Sequence, residues 1–264
     1  MSARESISGA IRAAAAQGEP ALVAYLTAGY PTRAKFREHL QAVAAAADVV
    51  EIGVPFTDPM ADGVTIQRSS QAALAQGVSL RWILSELEAL PHGGTPLLLM
   101  SYLNPLLAFG VERLAECCVR AAVAGFIIPD LPFDESTELG KALDARQLAL
   151  VQMVTPVTER KRLEQLCASS QGFVYAVTMT GTTGRNIAVP GEMLGYLDRV
   201  RSLASIPVCA GFGIRSREHI ERLRGHVDGV VIGSALVEVL ERGEDPAQWL
   251  RALRTSNRRG AGDP

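Results

Sequence analysis

The amino-acid sequence predicts a parallel α/β protein in which eight strand–helix units close into one barrel. Short apolar segments alternate with longer segments of helical periodicity along the 264-residue chain. There are eight such apolar segments, the number of parallel strands that closes a (β/α)8 barrel. A doubly wound open sheet is the alternative architecture, but its glycine-rich phosphate fingerprint does not follow the first predicted strand.

Each strand is predicted from a short run rich in Val, Ile, Leu or Ala that Gly or Pro usually punctuates. Such continuous apolar runs are typical of parallel strands that are buried on both faces. In chain order the eight runs are 21–29, 48–54, 96–102, 125–130, 149–154, 172–178, 207–213 and 227–233.

Helices are predicted where apolar residues recur every three or four positions. An amphipathic segment at the amino terminus predicts an extra helix before the first strand. Ser79 is a good cap for the helix that follows it, and Pro246 stands in a first helical turn, where its missing N–H costs least. The helices between and after the strands are predicted over 31–47, 79–90, 107–123, 134–146, 158–168, 190–203, 216–223, 234–242 and 246–254.

Composition excludes several classes of protein. The formal net charge is −2, whereas nucleic-acid-binding domains are usually strongly basic. The four cysteines form no Cys-x-x-Cys pair and the four histidines no metal-ligand spacing, so no metal site is predicted. Sparse cysteine favours a cytoplasmic protein, and no apolar run is long enough to span a membrane.

We expect one domain over residues 1–264, with 255–264 as a frayed tail.

Glu51 is the most unusual residue because it interrupts an apolar strand. A carboxyl group inside a sheet that is buried on both faces must be paired, neutral or functional. A structural ion pair inside the barrel is one interpretation. The other is a general acid–base whose pKa is raised by loss of solvent.

Two further carboxylates, Asp58 and Asp62, lie in the segment 55–67, which is predicted to be a long loop after the second strand. Each could simply form a turn or cap a helix. Together with Glu51, however, they place several acids at one strand and its loop, where two of them could meet a substrate from different sides.

Glycine-rich turns at 181–184, 211–213 and 233–235 follow the sixth, seventh and eighth strands. Loops after the last two strands of such barrels often bind phosphate through backbone N–H groups and a helix amino terminus. Ser234 could cap its helix and donate a hydroxyl. The alternative is that these are ordinary tight turns. The turn at 181–184 has the composition of a lid that closes over a ligand.

Several longer motifs resemble those of the tryptophan synthase alpha-subunit family. They appear in family order and cover nearly the whole chain, and the acid-loop motif at 50–67 is long and specific. The matching segments are LTAGYPT (26–32), VEIGVPFTDPMADGVTIQ (50–67), MSYLNPLLAFG (100–110), GFIIPDLPFDES (125–136), TGTTG (180–184), AGFGI (210–214) and IGSALV (232–237).

This resemblance implies a (β/α)8 TIM barrel that cleaves indole-3-glycerol phosphate into indole and glyceraldehyde 3-phosphate. It implies no cofactor in this subunit. It also implies pairing, in an α2β2 complex, with a beta subunit that carries pyridoxal phosphate and receives the indole. A free-standing lyase and a non-catalytic activator of a beta subunit remain alternatives, although the presence of both Glu51 and Asp62 argues against the activator.

The resemblance also assigns roles to individual positions. Glu51 matches the family's acid–base glutamate and Asp62 its second catalytic carboxylate. Tyr175 matches a tyrosine near the reacting centre, and Thr183 a lid threonine that meets the aspartate. The phosphate-binding positions match Gly184, Gly213, Gly233 and Ser234. The segments that face the beta subunit contain Pro55, Asp58, Asn104, Asp130 and Pro132.

The chain departs from the family pattern at Ala24 and Val64, where prolines are usual, and at Thr182, where valine is usual in the lid. None of these changes removes a catalytic group. Val64 and Thr182 lie in the two active-site loops, so they bear on loop mobility and on coupling to a partner.

Overall fold

Eight parallel strands form a closed barrel in the computed structural model, which describes residues 2–91, 94–178, 191–211 and 213–254. Each strand pairs with the next along the chain, and the first pairs with the last. The predicted (β/α)8 architecture is therefore confirmed. The strands are β1 (Ala21–Thr27), β2 (Val49–Gly53), β3 (Leu97–Met100), β4 (Val123–Ile127), β5 (Ala149–Val154), β6 (Val174–Val177), β7 (Val208–Gly211) and β8 (Gly229–Ile232).

The helices surround the barrel and connect consecutive strands. Single 3₁₀ turns at Arg33–Lys35 and Phe133–Glu135 precede two of them. The α-helices are α1 (Ala3–Ala15), α2 (Phe36–Ala44), α3 (Val64–Ala75), α4 (Leu80–Glu88), α5 (Leu103–Phe109), α6 (Val111–Arg120), α7 (Thr137–Asp144), α8 (Arg160–Ser169), α9 (Gly191–Leu203), α10 (Arg217–Leu223), α11 (Ser234–Glu241) and α12 (Pro246–Leu253).

The predicted extra helix is α1, which begins with a reciprocal capping box between Ser2 and Glu5. Its buried Ile7 and Ile11 pack in one cluster with the inward-facing side chains of the strands, including Val23 and Val49. The helix therefore closes the amino-terminal end of the barrel, and access to the interior is left to the opposite end.

Alternation along each strand divides the core into two layers. Val49 belongs to the cluster inside the barrel, whereas Val50 and Ile52 belong to the larger cluster between the strands and the helices. Because side chains alternate with a period of two, Glu51 faces the interior together with Val49. Strand alternation groups Glu51 with Val49, and the closed barrel decides that this group faces the interior.

The segment 55–67 is not one long loop, and this prediction is wrong in its extent. Helix α3 begins at Val64, one residue after its N-cap Gly63. The buried residues of α3 are Ser69, Ser70 and Ala73, so its inner face is small and partly polar. It therefore lacks the bulky apolar period from which amphipathic helices are recognised.

The predicted helix 107–123 is also wrong in its bounds. It is two helices, α5 and α6, which meet at Gly110, whose φ of 93° lies in the left-handed region. Two predicted features lie outside the described residues: the lid-like turn with Thr182, Thr183 and Gly184, and the tail 255–264. Both stay predictions. The prediction of a single domain also stays a prediction.

Candidate active site

A cavity of ≈ 120 Å³ lies at the carboxyl-terminal end of the barrel. Its lining includes Glu51, Asp62 and Tyr175, together with Gly233 and Ser234 at the start of α11. A larger cavity of ≈ 590 Å³ lies around the amino ends of β3 and β4, but the described part of its lining contains no carboxylate or imidazole. We therefore take the smaller cavity as the candidate active site, because its lining contains carboxyl groups. It also lies at the end where such barrels carry their active sites.

Glu51 is buried in this cavity with 1% of its surface exposed. Among the residues that the structure describes, its Oε2 atom has no hydrogen-bond partner. Burial is the main reason that its pKa rises to about 8, and the negative charge of Asp62 adds to the effect. At neutral pH the Glu51 carboxyl group is therefore mostly protonated, which is the state that a general acid needs.

Asp62 is in the opposite protonation state at neutral pH, although it lines the same cavity. Burial raises its pKa to about 6, while a hydrogen bond from the Tyr102 hydroxyl lowers the pKa. The same Tyr102 oxygen accepts the Ala61 N–H at 2.9 Å. Asp62 is thus mostly ionised at pH 7, and the two acids offer one proton donor and one anion.

The backbone around Asp62 is held from two sides. The Gln67 side-chain amide donates to the Asp62 carbonyl oxygen at 2.9 Å, one turn into α3. Tyr102 holds the preceding residue from β3's side of the cavity. By contrast, Asp58 and Met60 are exposed at the tip of the loop, and Met60 exposes 81% of its surface.

The opposite wall of the cavity has the geometry of an anion cradle. Gly233 is the N-cap of α11 and Ser234 is its first residue, so the first-turn N–H groups of the helix border the cavity. Gly213 reaches the same cavity from the loop after β7 and has a φ of 79°, a conformation that favours glycine. A phosphate would find backbone donors and a helix dipole there.

Aromatic and aliphatic side chains line the space between the carboxylates and the cradle. Tyr25 pairs in register with Glu51 on the neighbouring strand. A Cβ atom at Gly53 would overlap the Tyr25 hydroxyl, and one at Gly211 would overlap that of Tyr175. These two strand glycines therefore leave room for two tyrosine side chains. The remaining apolar lining consists of Ile66, Met100, Ile214 and Val231.

Comparisons with known proteins show which family this chain resembles. A profile of the tryptophan synthase alpha chain matches residues 11–261. The tryptophan synthase alpha chain of Nitratidesulfovibrio vulgaris (Hildenborough) is 45% identical over 247 residues, covering 92% of this chain and 95% of the relative. That of Bacillus cereus is 43% identical over 233 residues, covering 88% and 90% respectively.

The chain belongs to the tryptophan synthase alpha chain family.

Solved structures agree with this family and fold. Mycobacterium tuberculosis tryptophan synthase in an open form with BRD0059 bound superposes with a TM-score of 0.84 at 32% identity, covering 94% of this chain and 96% of that one. A structure from Aquifex aeolicus VF5 superposes with a TM-score of 0.85 at 32% identity, covering 96% and 98%.

The residues that the alpha-chain resemblance assigns to the substrate converge where they are described. Glu51, Asp62, Tyr175, Gly213, Gly233 and Ser234 all line the cavity. Thr183 and Gly184 lie outside the described residues. Their proposed roles stay predictions, because placement in one cavity does not test a role.

The residues assigned to the partner face also lie at this end of the barrel, after β2, β3 and β4. Asp58, Asn104 and Pro132 are exposed, whereas Pro55 is buried. Asp130 is half-buried, and its Oδ1 accepts the Leu103 N–H at 2.9 Å, which joins the loop after β4 to the start of α5. Of the five, Pro55 is the one that is buried, so it offers little surface to a partner.

Sequence reasoning missed Tyr25 and Tyr102, which contribute to the site. Tyr25 carries a partial signal, because alternation groups it with Val23 on one face of β1, but only the closed barrel shows that this face lines the interior. Tyr102 carries no such signal, since its contact with Asp62 depends on how the loop after β2 folds over β3.

Two kinds of feature are absent from the described residues. Across residues 2–91, 94–178, 191–211 and 213–254, no cluster of three or more His, Cys, Asp or Glu side chains is arranged to hold a metal. Within the same ranges, no helix is long and apolar enough to cross a membrane.

Proposed function

We propose that this chain cleaves indole-3-glycerol phosphate to indole and glyceraldehyde 3-phosphate as the alpha subunit of a tryptophan synthase. The observation that carries the proposal is that Glu51 and Asp62 line one cavity that ends at the amino terminus of α11. Burial raises the pKa of Glu51 to about 8 and that of Asp62 to about 6, which favours a proton on Glu51 and a charge on Asp62 at neutral pH. The reaction needs a proton donor, an anion near the indole nitrogen and a phosphate site, and this cavity can supply all three.

Glu51 would act as donor and then as acceptor of one proton. Its carboxyl group protonates C3 of the indole ring, which leaves Glu51 ionised. Glu51 then takes the proton from the hydroxyl on the adjacent glycerol carbon as the C3–carbon bond breaks. The bonding pair returns to the ring, an aldehyde forms, and the carboxyl group regains its proton. No net proton is consumed, so one acid on a rigid strand is sufficient.

Asp62 would stabilise the intermediate without exchanging a proton in the net reaction. Protonation at C3 makes the ring nitrogen positively charged, and an ionised carboxylate beside that N–H stabilises the charge. The hydrogen bond from Tyr102 favours the ionised form of Asp62 and orients it. The cradle at Gly213, Gly233 and Ser234 would hold the phosphate and keep C3 in register with Glu51.

The experiment that tests the proposal is direct. Purified protein is mixed with indole-3-glycerol phosphate, with and without a beta subunit, and the release of both products is measured. Product formation in either condition is the expected result. Absence of products in both conditions, with the substrate bound and the protein folded, would contradict the lyase and favour the non-catalytic activator.

Membership of the alpha-chain family implies a beta subunit as the partner, and pyridoxal phosphate would belong to that subunit. We expect no cofactor in this chain, because the proposed proton transfers use its own carboxyl groups. The partner would dock on the rim formed by Asp58, Asn104, Asp130 and Pro132, where Met60 and Leu107 also expose apolar surface.

The pH dependence of kcat/KM should reflect the titration of Glu51 and Asp62. We expect kcat/KM to be highest between about pH 6 and about pH 8. Activity falls below this range because Asp62 becomes protonated, and above it because Glu51 loses the proton it must donate. Initial rates of indole release across this range, at substrate concentrations below KM, measure the profile.

A Tyr102→Phe variant provides the matched control for the pH profile. It removes the hydrogen bond that lowers the Asp62 pKa, so the acidic limb should move to higher pH. The alkaline limb should stay where it is. An acidic limb that does not move would assign that limb to another group.

Substitutions in the cradle should weaken phosphate binding. We expect Gly233→Asp to reduce the affinity for glyceraldehyde 3-phosphate at least tenfold (~1.4 kcal/mol), since it adds bulk and negative charge beside an anion. A Cβ atom there lies 3.8 Å from Tyr25, an ordinary contact, so the backbone should tolerate the change. Calorimetric titration measures the affinity.

The isosteric Gly233→Asn variant separates charge from bulk and should bind more tightly than the Asp variant. Gly213→Asn and Gly213→Asp form a second such pair, since asparagine and aspartate both tolerate a left-handed φ better than most residues. Equal affinity of all four variants and the wild type would place the phosphate elsewhere.

A further inference from the structure

Helices α3 and α11 both begin at the cavity, and side chains join them along their length. Asp62 comes just before Gly63, the N-cap of α3, and Gly233 and Ser234 start α11. Ser234 and Glu238 are four residues apart, so they lie on the same face of α11. Helical side chains lean toward the amino terminus of their helix, which directs the Glu238 carboxylate toward the cavity end of both helices.

Glu238 contacts both segments that flank it. Its Oε1 and Oε2 atoms accept hydrogen bonds from the Arg215 guanidinium at 2.6 and 2.8 Å. Oε1 also accepts from the Thr65 hydroxyl at 3.4 Å. These two donors hold the pKa of Glu238 below its usual value, with the Arg215 contact making the larger contribution. The carboxylate is therefore ionised and shared at neutral pH.

The two donors belong to opposite sides of the candidate site. Arg215 follows Gly213 and Ile214, which line the cavity from the loop after β7. Thr65 is the second residue of α3 and follows Asp62 by three positions. One carboxylate thus connects the phosphate cradle to the helix that begins two residues after Asp62.

We infer that Glu238 is a positioning residue that sets the distance between the substrate's phosphate and Asp62. The inference rests on the proposed function, because it concerns where the indole ring lies once the phosphate is held. Glu238 touches no reacting atom. Its loss would leave the cradle able to bind phosphate but would let the start of α3 move relative to it.

A second bridge between the same helices supplies the matched control. Glu241, one turn further from the cavity, pairs with Arg68 of α3 and hydrogen-bonds to Tyr30. Removing Glu241 weakens the packing of α11 on α3 without touching Thr65 or Arg215. Both bridges are partly exposed, with 27% of Glu238 and 39% of Glu241 accessible, so neither should be essential for folding.

The test compares Glu238→Ala, Glu241→Ala and the isosteric Thr65→Val in steady-state assays of indole release. In Glu238→Ala, kcat should fall about tenfold because the reacting groups are misplaced. KM and the affinity for glycerol 3-phosphate, measured by calorimetry, should change less than about twofold, since the cradle remains. Thr65→Val should lower kcat in the same direction, and Glu241→Ala should change it less than about twofold.

A double-mutant cycle identifies the contact. If Thr65 acts through Glu238, the Thr65→Val/Glu238→Ala protein should be no slower than Glu238→Ala alone. Additive losses, equal kcat in Glu238→Ala and Glu241→Ala, or a rise in KM at unchanged kcat would overturn the inference while leaving the lyase activity of the wild type in place. A wild type that releases no indole would overturn the proposed function, and the inference with it.

Discussion

Glu51→Gln is expected to reduce indole release by at least about 100-fold, the contribution usual for general acid–base catalysis. Glutamine keeps the volume of the side chain but cannot give a proton to C3 or take one from the hydroxyl. Because Glu51 is mostly protonated at neutral pH, the substitution removes no ion pair there. Thermal unfolding near pH 7 should therefore change little, and phosphate binding should be retained. Single-turnover indole release measures the effect.

Glu19→Gln is the matched control for this prediction. Glu19 is also buried, with 5% of its surface exposed, but it precedes β1 at the opposite end of the barrel. Its replacement tests whether losing any buried carboxylate lowers activity through the fold. If Glu51→Gln keeps more than about a tenth of the wild-type rate, a different group transfers the proton.

A beta subunit is expected to raise the rate of indole release by about 10- to 100-fold. The physical reason lies in the loop that carries Asp62. Its end at Asp62 is held by Tyr102 and Gln67, whereas Asp58 and Met60 at its tip are exposed. A partner that presses on the tip would select the arrangements that direct Asp62 at the indole ring. Stopped-flow indole release with and without the beta subunit measures the gain.

Leu107 and Val119 are exposed to the same extent and form a matched pair of positions that tests where the partner docks. Leu107 exposes 52% of its surface on α5, beside Asn104, and Val119 exposes 53% near the end of α6, at the amino end of the barrel. Leu107→Asp should weaken activation, and Val119→Asp should not. Full activity of the isolated chain, with no gain on mixing and no complex by light scattering, would favour the free-standing lyase.

Helix α3 changes how Val64 must be understood. Val64 is the first residue of α3 and exposes 74% of its surface. Proline is favoured at that position because its fixed φ is already helical and its missing N–H has no helical partner. Valine there leaves the unfolded chain more freedom, so Val64→Pro should stabilise the start of α3 and reduce the motion that a partner must restrain.

The sequence by itself determined the barrel, its eight strands, the extra α1 and the position of Glu51 inside a buried strand. Each of these depends on local patterns: apolar runs specify buried strands, and a period of two specifies which side chains share one face of a strand. Glycines at the ends of β7 and β8 predicted the candidate phosphate cradle. Position along a barrel strand predicts the end of the barrel at which a residue lies.

Only the tertiary structure decided the protonation states, the start of α3 and the contacts of Tyr102, Gln67 and Glu238. The pKa of Glu51 depends on burial by surrounding elements and on the distance to Asp62, and neither is a local property of β2. The inner face of α3 is built from Ser69, Ser70 and Ala73, which leaves no apolar period to recognise. Glu238 meets Thr65 across 173 residues of sequence, so their contact exists only when barrel closure brings α11 beside α3.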